Sequence, residues 1–272
     1  MGKRQTKRRS ASLRIGAVPY MNAKPLVHAL GRVIPGARLT QAVPSRLTPR
    51  LAQGELDVAM IPVMGYFQIP GAEIVPGVCI SSRGEVQSVR LFYRGAIGRL
   101  RRVHLDASSM TSAALTKIIL ADRYALRPEF VSAPPTTDLK DTAAEALLLI
   151  GDNAMQVRRR GWSFVDLGAE WDALTGLPFI YAVWAARKGV ASRALIRALN
   201  EARAIGLSRL KDIARSESRR LALSFSRCFT YLSERIFYDL GPAEMAGLRE
   251  FRRRAIAHGL IPKTARIRIA RG

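Results

Sequence analysis

Leu39-Thr40-Gln41-Ala42-Val43-Pro44-Ser45-Arg46-Leu47-Thr48-Pro49-Arg50-Leu51-Ala52-Gln53-Gly54-Glu55-Leu56-Asp57-Val58-Ala59-Met60-Ile61 reads as a strand, a helix and a second strand. Residues 39–43 are the first strand. Ser45 is placed as the helix cap, Leu47 and Leu51 recur four apart on the buried face, and Gly54 stops the helix before the apolar residues 56–61. Upstream, residues 13–18 alternate as an earlier strand and run into Pro19-Tyr20-Met21-Asn22-Ala23-Lys24-Pro25, a turn before a short helix ending near Gly31. This alternation predicts an α/β chain with a mainly parallel sheet under helices, and a ligand beyond the carboxyl ends of the strands.

Downstream, residues 75–80 and 86–93 read as strands, the second leaving the first lobe. The alternation restarts at residues 102–106, with a helix from Ser109, a strand near Phe130, and strands at 146–150 and 164–167. Residues 179–186 are an apolar run long enough to travel back between lobes. The later pattern is helical, over about 192–215, 229–238 and 243–258, with Pro242 just inside the last start. We therefore expect two lobes joined by two crossover strands: residues 13–93 with 184–272, completed by the C-terminal helices, and residues 94–183. Residues 1–12 are expected to be a disordered basic tail.

Two strand-to-helix turns carry the chemistry. Leu105-Asp106-Ala107-Ser108-Ser109-Met110-Thr111-Ser112 puts four hydroxyls in five positions where a helix begins. A helix N-terminus offers unpaired N–H groups and a positive dipole end, and one Ser there is explained by capping alone. Four exceed what capping needs, so Ser109, Thr111 and Ser112 are candidate carboxylate ligands. Ile150-Gly151-Asp152-Asn153 is a second turn of this kind, and Gly151 and Asp152 join the candidate substrate contacts; capping of its helix would equally account for Asp152.

Composition narrows the function classes. The chain has 272 residues, 48% hydrophobic, enough for a sizeable core in two lobes. No run approaches the roughly 18–20 apolar residues of a membrane span, and the basic start lacks a signal-like apolar segment, so a cytoplasmic protein with no membrane partner is expected. Cys79 and Cys228 stand far apart without metal-ligand spacing, which predicts buried thiols and no metal. No GxGxxG stands between strand and helix, and no cofactor is expected. The net charge of +23 invites a nucleic-acid reading. The charge is dispersed over the amino terminus, Arg252 to Arg254 and the last residues, with no nucleic-acid fold, and a positive field also attracts an anionic metabolite. Nothing in the sequence specifies an oligomeric state.

The segments Ala17-Val18-Pro19-Tyr20-Met21-Asn22-Ala23-Lys24-Pro25-Leu26, Val43-Pro44-Ser45, Gly54-Glu55-Leu56-Asp57-Val58-Ala59-Met60-Ile61-Pro62 and Ile80-Ser81-Ser82-Arg83-Gly84-Glu85-Val86-Gln87-Ser88-Val89 stand in order. They continue through Leu105-Asp106 with Ser109, Thr111 and Ser112, Leu149-Ile150-Gly151-Asp152, Asp166-Leu167-Gly168 with Trp171, and Thr175-Gly176-Leu177-Pro178-Phe179. Together they resemble the chorismate dehydratases of the futalosine route to menaquinone, built on the periplasmic-binding-protein type II fold. Met21 stands where that family often has Leu, and Glu85 where Pro is common. Neither is a polar residue assigned to the site.

The resemblance implies loss of water from chorismate to give 3-[(1-carboxyvinyl)oxy]benzoate, the hydroxyl leaving C4 with the hydrogen of C3. Charge developing at C3 spreads through a ring double bond onto the ring carboxylate, so fixed donors there stabilise the transition state. The resemblance makes Asn22 the leading catalytic residue and Ser88 the second polar contact, with Ser45 also in the cleft. A neutral amide is a poor base, so Asn22 orients the enolpyruvyl group or binds the departing hydroxyl. The C3 hydrogen goes to the substrate's enolpyruvyl carboxylate or, alternatively, to Asp152. His28, His104, Asp57, Trp171 and Phe179 read as structural. Two other readings stay open: a solute receptor of the same fold that closes without reacting, and the later enzyme of the route that makes a dihydroxynaphthoate.

Overall fold

The computed structural model describes residues 12–135, 139, 142–157 and 161–272, so the basic start falls outside it except for Ser12. The chain opens with β1 (Arg14–Ala17), a 3₁₀ turn (Met21–Ala23), α1 (Lys24–Val27), α2 (Leu30–Val33), β2 (Arg38–Gln41) and α3 (Pro44–Ala52). It continues with β3 (Val58–Pro62), α4 (Val63–Phe67) and β4 (Glu73–Ser82). The middle holds β5 (Val89–Tyr93), β6 (Arg102–Asp106), α5 (Met110–Tyr124), β7 (Glu129–Ala133), β8 (Ala146–Ile150), α6 (Gly151–Gln156), β9 (Ser163–Asp166) and α7 (Leu167–Thr175). The chain ends with β10 (Phe179–Ala186), α8 (Arg193–Ser208), α9 (Leu210–Leu221), α10 (Phe225–Thr230), a π turn (Tyr231–Arg235) and α11 (Pro242–Ala257).

Two five-stranded sheets result, ordered β2-β1-β3-β10-β4 and β7-β6-β8-β5-β9. In the first, β1 runs parallel to β2 and β3, while β10 lies antiparallel between β3 and β4. In the second, β6 runs parallel to β7 and β8, while β5 lies antiparallel between β8 and β9. The two sheets thus share one topology, and the reversed strand of each arrives from the other lobe. This is the two-lobed type II arrangement of an α/β protein.

The crossings lie at residues 83–88 and 176–178, between β4 and β5 and between α7 and β10. Val89–Tyr93 therefore sits in the second sheet, and the whole of Phe179–Ala186 in the first, each some residues away from the lobe boundaries at 93 and 183 expected from the sequence. The physical reason is pairing: β5 exchanges a full ladder with both β8 and β9, from Val89 opposite Ile150 to Tyr93 opposite Ser163. Strands β3 and β8 are buried at every position, as central strands covered on both faces must be.

Three helical readings shift. The continuous helix over 192–215 is two helices that break at Arg209, which lets α9 turn and bury Ile213, Ala214 and Leu221. The helix over 229–238 is the end of α10 followed by the π turn. Ser45 is not the cap of α3: Val43 occupies that position without a side-chain bond, Pro44 supplies the first helical residue, and Ser45 follows it.

The C-terminal helices close the first lobe by near approach of backbones. A Cβ on Gly206 of α8 would stand 1.7 Å from the Pro25 carbonyl oxygen of α1, and one on Gly247 of α11 would stand 2.0 Å from that of Pro178. The final segment runs beside β4, with Ile74 donating to the Arg268 carbonyl and Ala270 to that of Ile74, which covers an otherwise open sheet edge. Asp57 ties the lobe together from below: it accepts from Arg14 in β1 and from Arg187 just after β10, at 2.7 and 2.5 Å, and its carboxyl is held below the usual carboxylate range by those partners, Arg14 first. Cys79 and Cys228 are buried, and burial pushes the Cys79 thiol up to about 12.

Gly206→Ala has no room for its methyl group short of moving α8 away from α1. We expect a loss of about 1–3 kcal/mol, as for an overpacked core, read as a lower urea midpoint at unchanged m-value. A wild-type midpoint would mean that the helices part without cost.

Candidate functional site

The cleft between the lobes is lined from both sides. The first lobe gives Val18, Tyr20, Asn22, Pro44, Pro62, Ile80, Tyr181 and Ala182; the second gives Val89, Ser109, Thr111, Ser112, Ile150 and Gly151, with Ser88 at the crossing between them. Among the described residues, none that lines the cleft carries a charge. The polar groups are amide and hydroxyl, set among proline and aliphatic side chains.

The hydroxyl turn forms as the sequence predicts, and its members divide the work. Asp106, at the end of β6, accepts from the Ser108 backbone N–H at 2.7 Å and from the Ser108 hydroxyl at 2.6 Å. This closes an Asx turn and accounts for Ser108 structurally. Burial raises the Asp106 carboxyl, and the bonds from Ser108 oppose that rise. Ser109 occupies the N-cap position of α5, but its hydroxyl makes no capping bond. Thr111 Oγ1 accepts from the Met64 N–H of α4 at 3.1 Å, across the cleft, which leaves its own hydrogen free to donate. Ser109, Thr111 and Ser112 therefore face the cleft at the positive end of a fifteen-residue helix whose first N–H groups have no helical acceptor.

Opposite this turn stands Asn22, in the 3₁₀ turn that follows β1. Its Oδ1 is buried and has no hydrogen-bond partner. Ser88 sits at the end of the first crossing, next to Gln87, whose φ of 65° lies in the left-handed region. That conformation is held by Asp166: one carboxylate oxygen accepts from Gln87 N–H at 2.7 Å, and the other from Val86 N–H at 2.9 Å while also capping α7. Strain fixed by a buried carboxylate thus sets where Ser88 points. The Ser88 carbonyl in turn accepts from Gly151 N–H at 2.7 Å.

Gly151 lines the cleft with φ of 59°, and a Cβ there would press on the Tyr20 ring at 3.2 Å. Asp152 is placed differently from the sequence expectation. Its carboxylate accepts from the Met21 backbone N–H at 3.1 Å and from Arg220 at 2.6 Å, so it turns away from the lining and bolts α6 of the second lobe to the first. Nor does it cap α6, where Ile150 takes that position. Ser45 is likewise outside the lining, where its neighbour Pro44 stands instead. Sequence reasoning missed three tyrosines. Tyr20 and Tyr181 line the cleft, Tyr181 bonded to Ser82 at 3.0 Å, and Tyr231 donates to Ser88 Oγ at 2.8 Å from the C-terminal region. Tyr20 lay within a segment already singled out; Tyr231 had no local signal.

Trp171 packs edge-on against Phe179 and Phe251 in the core, away from the cleft. Among the described residues, no cluster of His, Cys, Asp or Glu could hold a metal ion, and no helix is long and apolar enough to cross a membrane.

Comparison with known proteins places this architecture. A family model described as menaquinone biosynthesis matches residues 13–257. The chain belongs to that family. A chorismate dehydratase of Thermus thermophilus is 33% identical over 258 residues, which is 87% of this chain and 93% of that protein. Among solved structures, a protein of Archaeoglobus fulgidus has a TM-score of 0.77 at 18% identity, covering 93% of this chain and all of the other. The alkanesulfonate-binding protein of Xanthomonas axonopodis, bound to MOPS, has a TM-score of 0.69 at 14% identity, over 93% and 95%. At these identities the solved structures show the fold alone, that of a two-lobed binding protein.

Asp152 joins the two lobes through Met21 and Arg220. Asp152→Ala frees Met21 and Arg220 together, so the lobes should open in solution. Small-angle scattering should record a larger radius of gyration than wild type; an unchanged radius would show that closure does not depend on this contact.

Proposed function

We propose that the chain is a hydro-lyase, a chorismate dehydratase acting in the cytoplasm in menaquinone biosynthesis. The observation that carries the reading is the pairing of an unpartnered Asn22 carbonyl with three cleft-facing hydroxyls on opposite walls of a cleft whose described lining carries no charge. The family and the Thermus thermophilus relative support it.

The chemistry follows from the donors. The ring carboxylate docks on Ser109, Thr111 and Ser112 at the start of α5, where neutral donors and a helix terminus meet a negative charge. The C3–H bond breaks, its proton passing to the substrate's own enolpyruvyl carboxylate. The electron pair enters the ring and spreads onto the ring carboxylate, strengthening each bond to the hydroxyl turn. The pair then returns to form the last ring double bond as the C4–O bond breaks. Hydroxide and the transferred proton together make the water lost. Asn22 and Ser88 hold the enolpyruvyl group and the departing hydroxyl so that the reacting bonds are aligned.

Placement supports the substrate carboxylate as the base: a protein base at Asp152 would have to leave both Met21 and Arg220, while an enolpyruvyl carboxylate in a lining whose described residues include no cation stays unpaired and free to accept a proton. A receptor of the same fold would bind the same acid and consume nothing. An ultraviolet trace of chorismate with purified protein separates the two, since aromatisation changes the spectrum; an unchanged trace over saturating protein would reject the dehydratase.

Asn22 and the hydroxyl turn should fail in different ways. For Asn22→Ala we expect kcat to fall about 100-fold or more with KM within a few-fold, because orientation at the reacting carbons is lost while the carboxylate site survives. For Ser109→Ala with Thr111→Ala, both KM and kcat should worsen, because those donors act on bound substrate and transition state alike. Wild-type constants for Asn22→Ala, with folding confirmed by circular dichroism, would remove Asn22 from the mechanism.

A further inference from the structure

The turn that carries Asn22 is capped from the other lobe. Tyr20 holds the N-cap position of the 3₁₀ turn Met21–Ala23 and makes no side-chain capping bond. The first N–H groups of a helical turn have no acceptor within it. For the Met21 N–H that acceptor is Asp152 Oδ1, at 3.1 Å. Asp152 is buried and is itself held: its Oδ2 accepts from Arg220 at 2.6 Å, and Arg220 Nε donates to the buried Glu217 at 2.7 Å. The preceding residue reaches two more groups. Gly151 N–H donates to the Ser88 carbonyl at 2.7 Å, and the Tyr20 ring lies so near that a Cβ on Gly151 would stand 3.2 Å from it. Two adjacent residues thus bond the carbonyl of Ser88 and the N–H that precedes Asn22.

We propose that Asp152 is a positioning residue for the dehydration: by capping the turn at Met21 it sets Asn22 in register with Ser88. The proposal rests on the dehydratase reading. Asp152 stands outside the lining and acts through the backbone, while Asn22, Ser88 and Gly151 are in the lining. A cap from its own lobe would hold the Asn22 turn whether the cleft is open or shut. A cap from the opposite lobe holds it only when the lobes have come together, so closure over the substrate and placement of Asn22 are one event. Misplacement by about 1 Å at the reacting atoms costs about 100-fold in rate, which is the scale of the effect expected here. The Arg220–Glu217 pair keeps the carboxylate turned to this task. A general base needs an oxygen free to take a proton, whereas both oxygens of Asp152 are engaged.

The test compares Asp152→Ala with Asp152→Asn. Asparagine keeps an oxygen for the Met21 N–H, while Arg220, partly exposed and still paired with Glu217, can turn aside. With chorismate as substrate we expect kcat to fall about 100-fold in Asp152→Ala with KM within a few-fold, and less than about fivefold in Asp152→Asn. A general base at this position would lose as much in the asparagine variant as in the alanine variant. Asn22→Ala combined with Asp152→Ala should lose far less than the product of the two single losses, because Asp152 acts through Asn22. A further readout is independent of turnover: in a ¹H–¹⁵N spectrum the Met21 amide should exchange slowly with solvent in wild type and Asp152→Asn, and fast in Asp152→Ala. Asp152→Ser, whose hydroxyl ends one atom short of the carboxylate oxygens, serves the same comparison if the alanine variant does not fold. Wild-type kcat in Asp152→Ala, equal losses in the alanine and asparagine variants, multiplied losses in the double variant, or unchanged Met21 exchange would each overturn the proposal while leaving the dehydratase in place. Absence of chorismate turnover by the wild type would overturn the dehydratase reading and this proposal with it.

Discussion

Each sheet is completed by a strand that belongs, by its connections, to the other lobe. β10 fills the gap between β3 and β4, and β5 the gap between β8 and β9, each antiparallel to its neighbours. The chain leaves the first sheet at the end of β4 and re-enters it at the start of β10, where Phe179 pairs with Ser82, so the two crossings lie side by side and the lobes face one another. The cleft follows from that constraint. The strand ends that open on it are those of β1, β6 and β8, and each is followed at once by a turn that supplies a site group: Asn22, the hydroxyl turn and Gly151. The first crossing supplies the remaining one, Ser88, placed by Asp166 through the strained backbone of Gln87.

The charge of the chain and the charge of its site are opposite in character. In a molecule with 44 Lys and Arg against 21 Asp and Glu, none of the described cations stands in the cleft lining. Many are held in surface ion pairs of small individual worth, such as Arg102 with Glu129. The buried Arg90 is committed to Asp166 and Glu85 beneath the crossing. A wide positive field attracts anions, and on the proposed reading the hydroxyls with a helix terminus receive one. Neutral recognition suits the proposed chemistry. An arginine on the enolpyruvyl carboxylate would lower its pKa and weaken it as a base, whereas neutral donors at the other carboxylate still gain strength as charge arrives there.

What was legible in the sequence was what is local. The alternation of strand and helix, the hydroxyl turn at Ser109 and the turn at Gly151 each lie within about ten residues, and periodicity with cap chemistry describes them. The resemblance to a family added Asn22 and Ser88, which spacing alone could not single out. Illegible were the matters decided by partners distant in the chain. Asp152 looked like a cleft residue because it follows a strand end; only the Met21 N–H and Arg220, 68 residues onward, turn it aside. Ser45 looked like a cap because serine caps well, but Pro44 fits the first helical position and moves the cap back to Val43. The sheet membership of β5 depended on ladders to strands more than fifty residues away.

The unpartnered Asn22 carbonyl joins stability to function. A buried acceptor with no donor costs the fold about 1–3 kcal/mol, and native interiors seldom tolerate one. Asp152 holds the backbone of the turn at Met21, and Tyr231 has given its hydrogen to Ser88, so neither supplies the carbonyl with a donor. On the proposed reading the substrate hydroxyl is that donor, and an amide whose turn is already held in place spares the reaction part of the cost of orienting it as the C–O bond breaks.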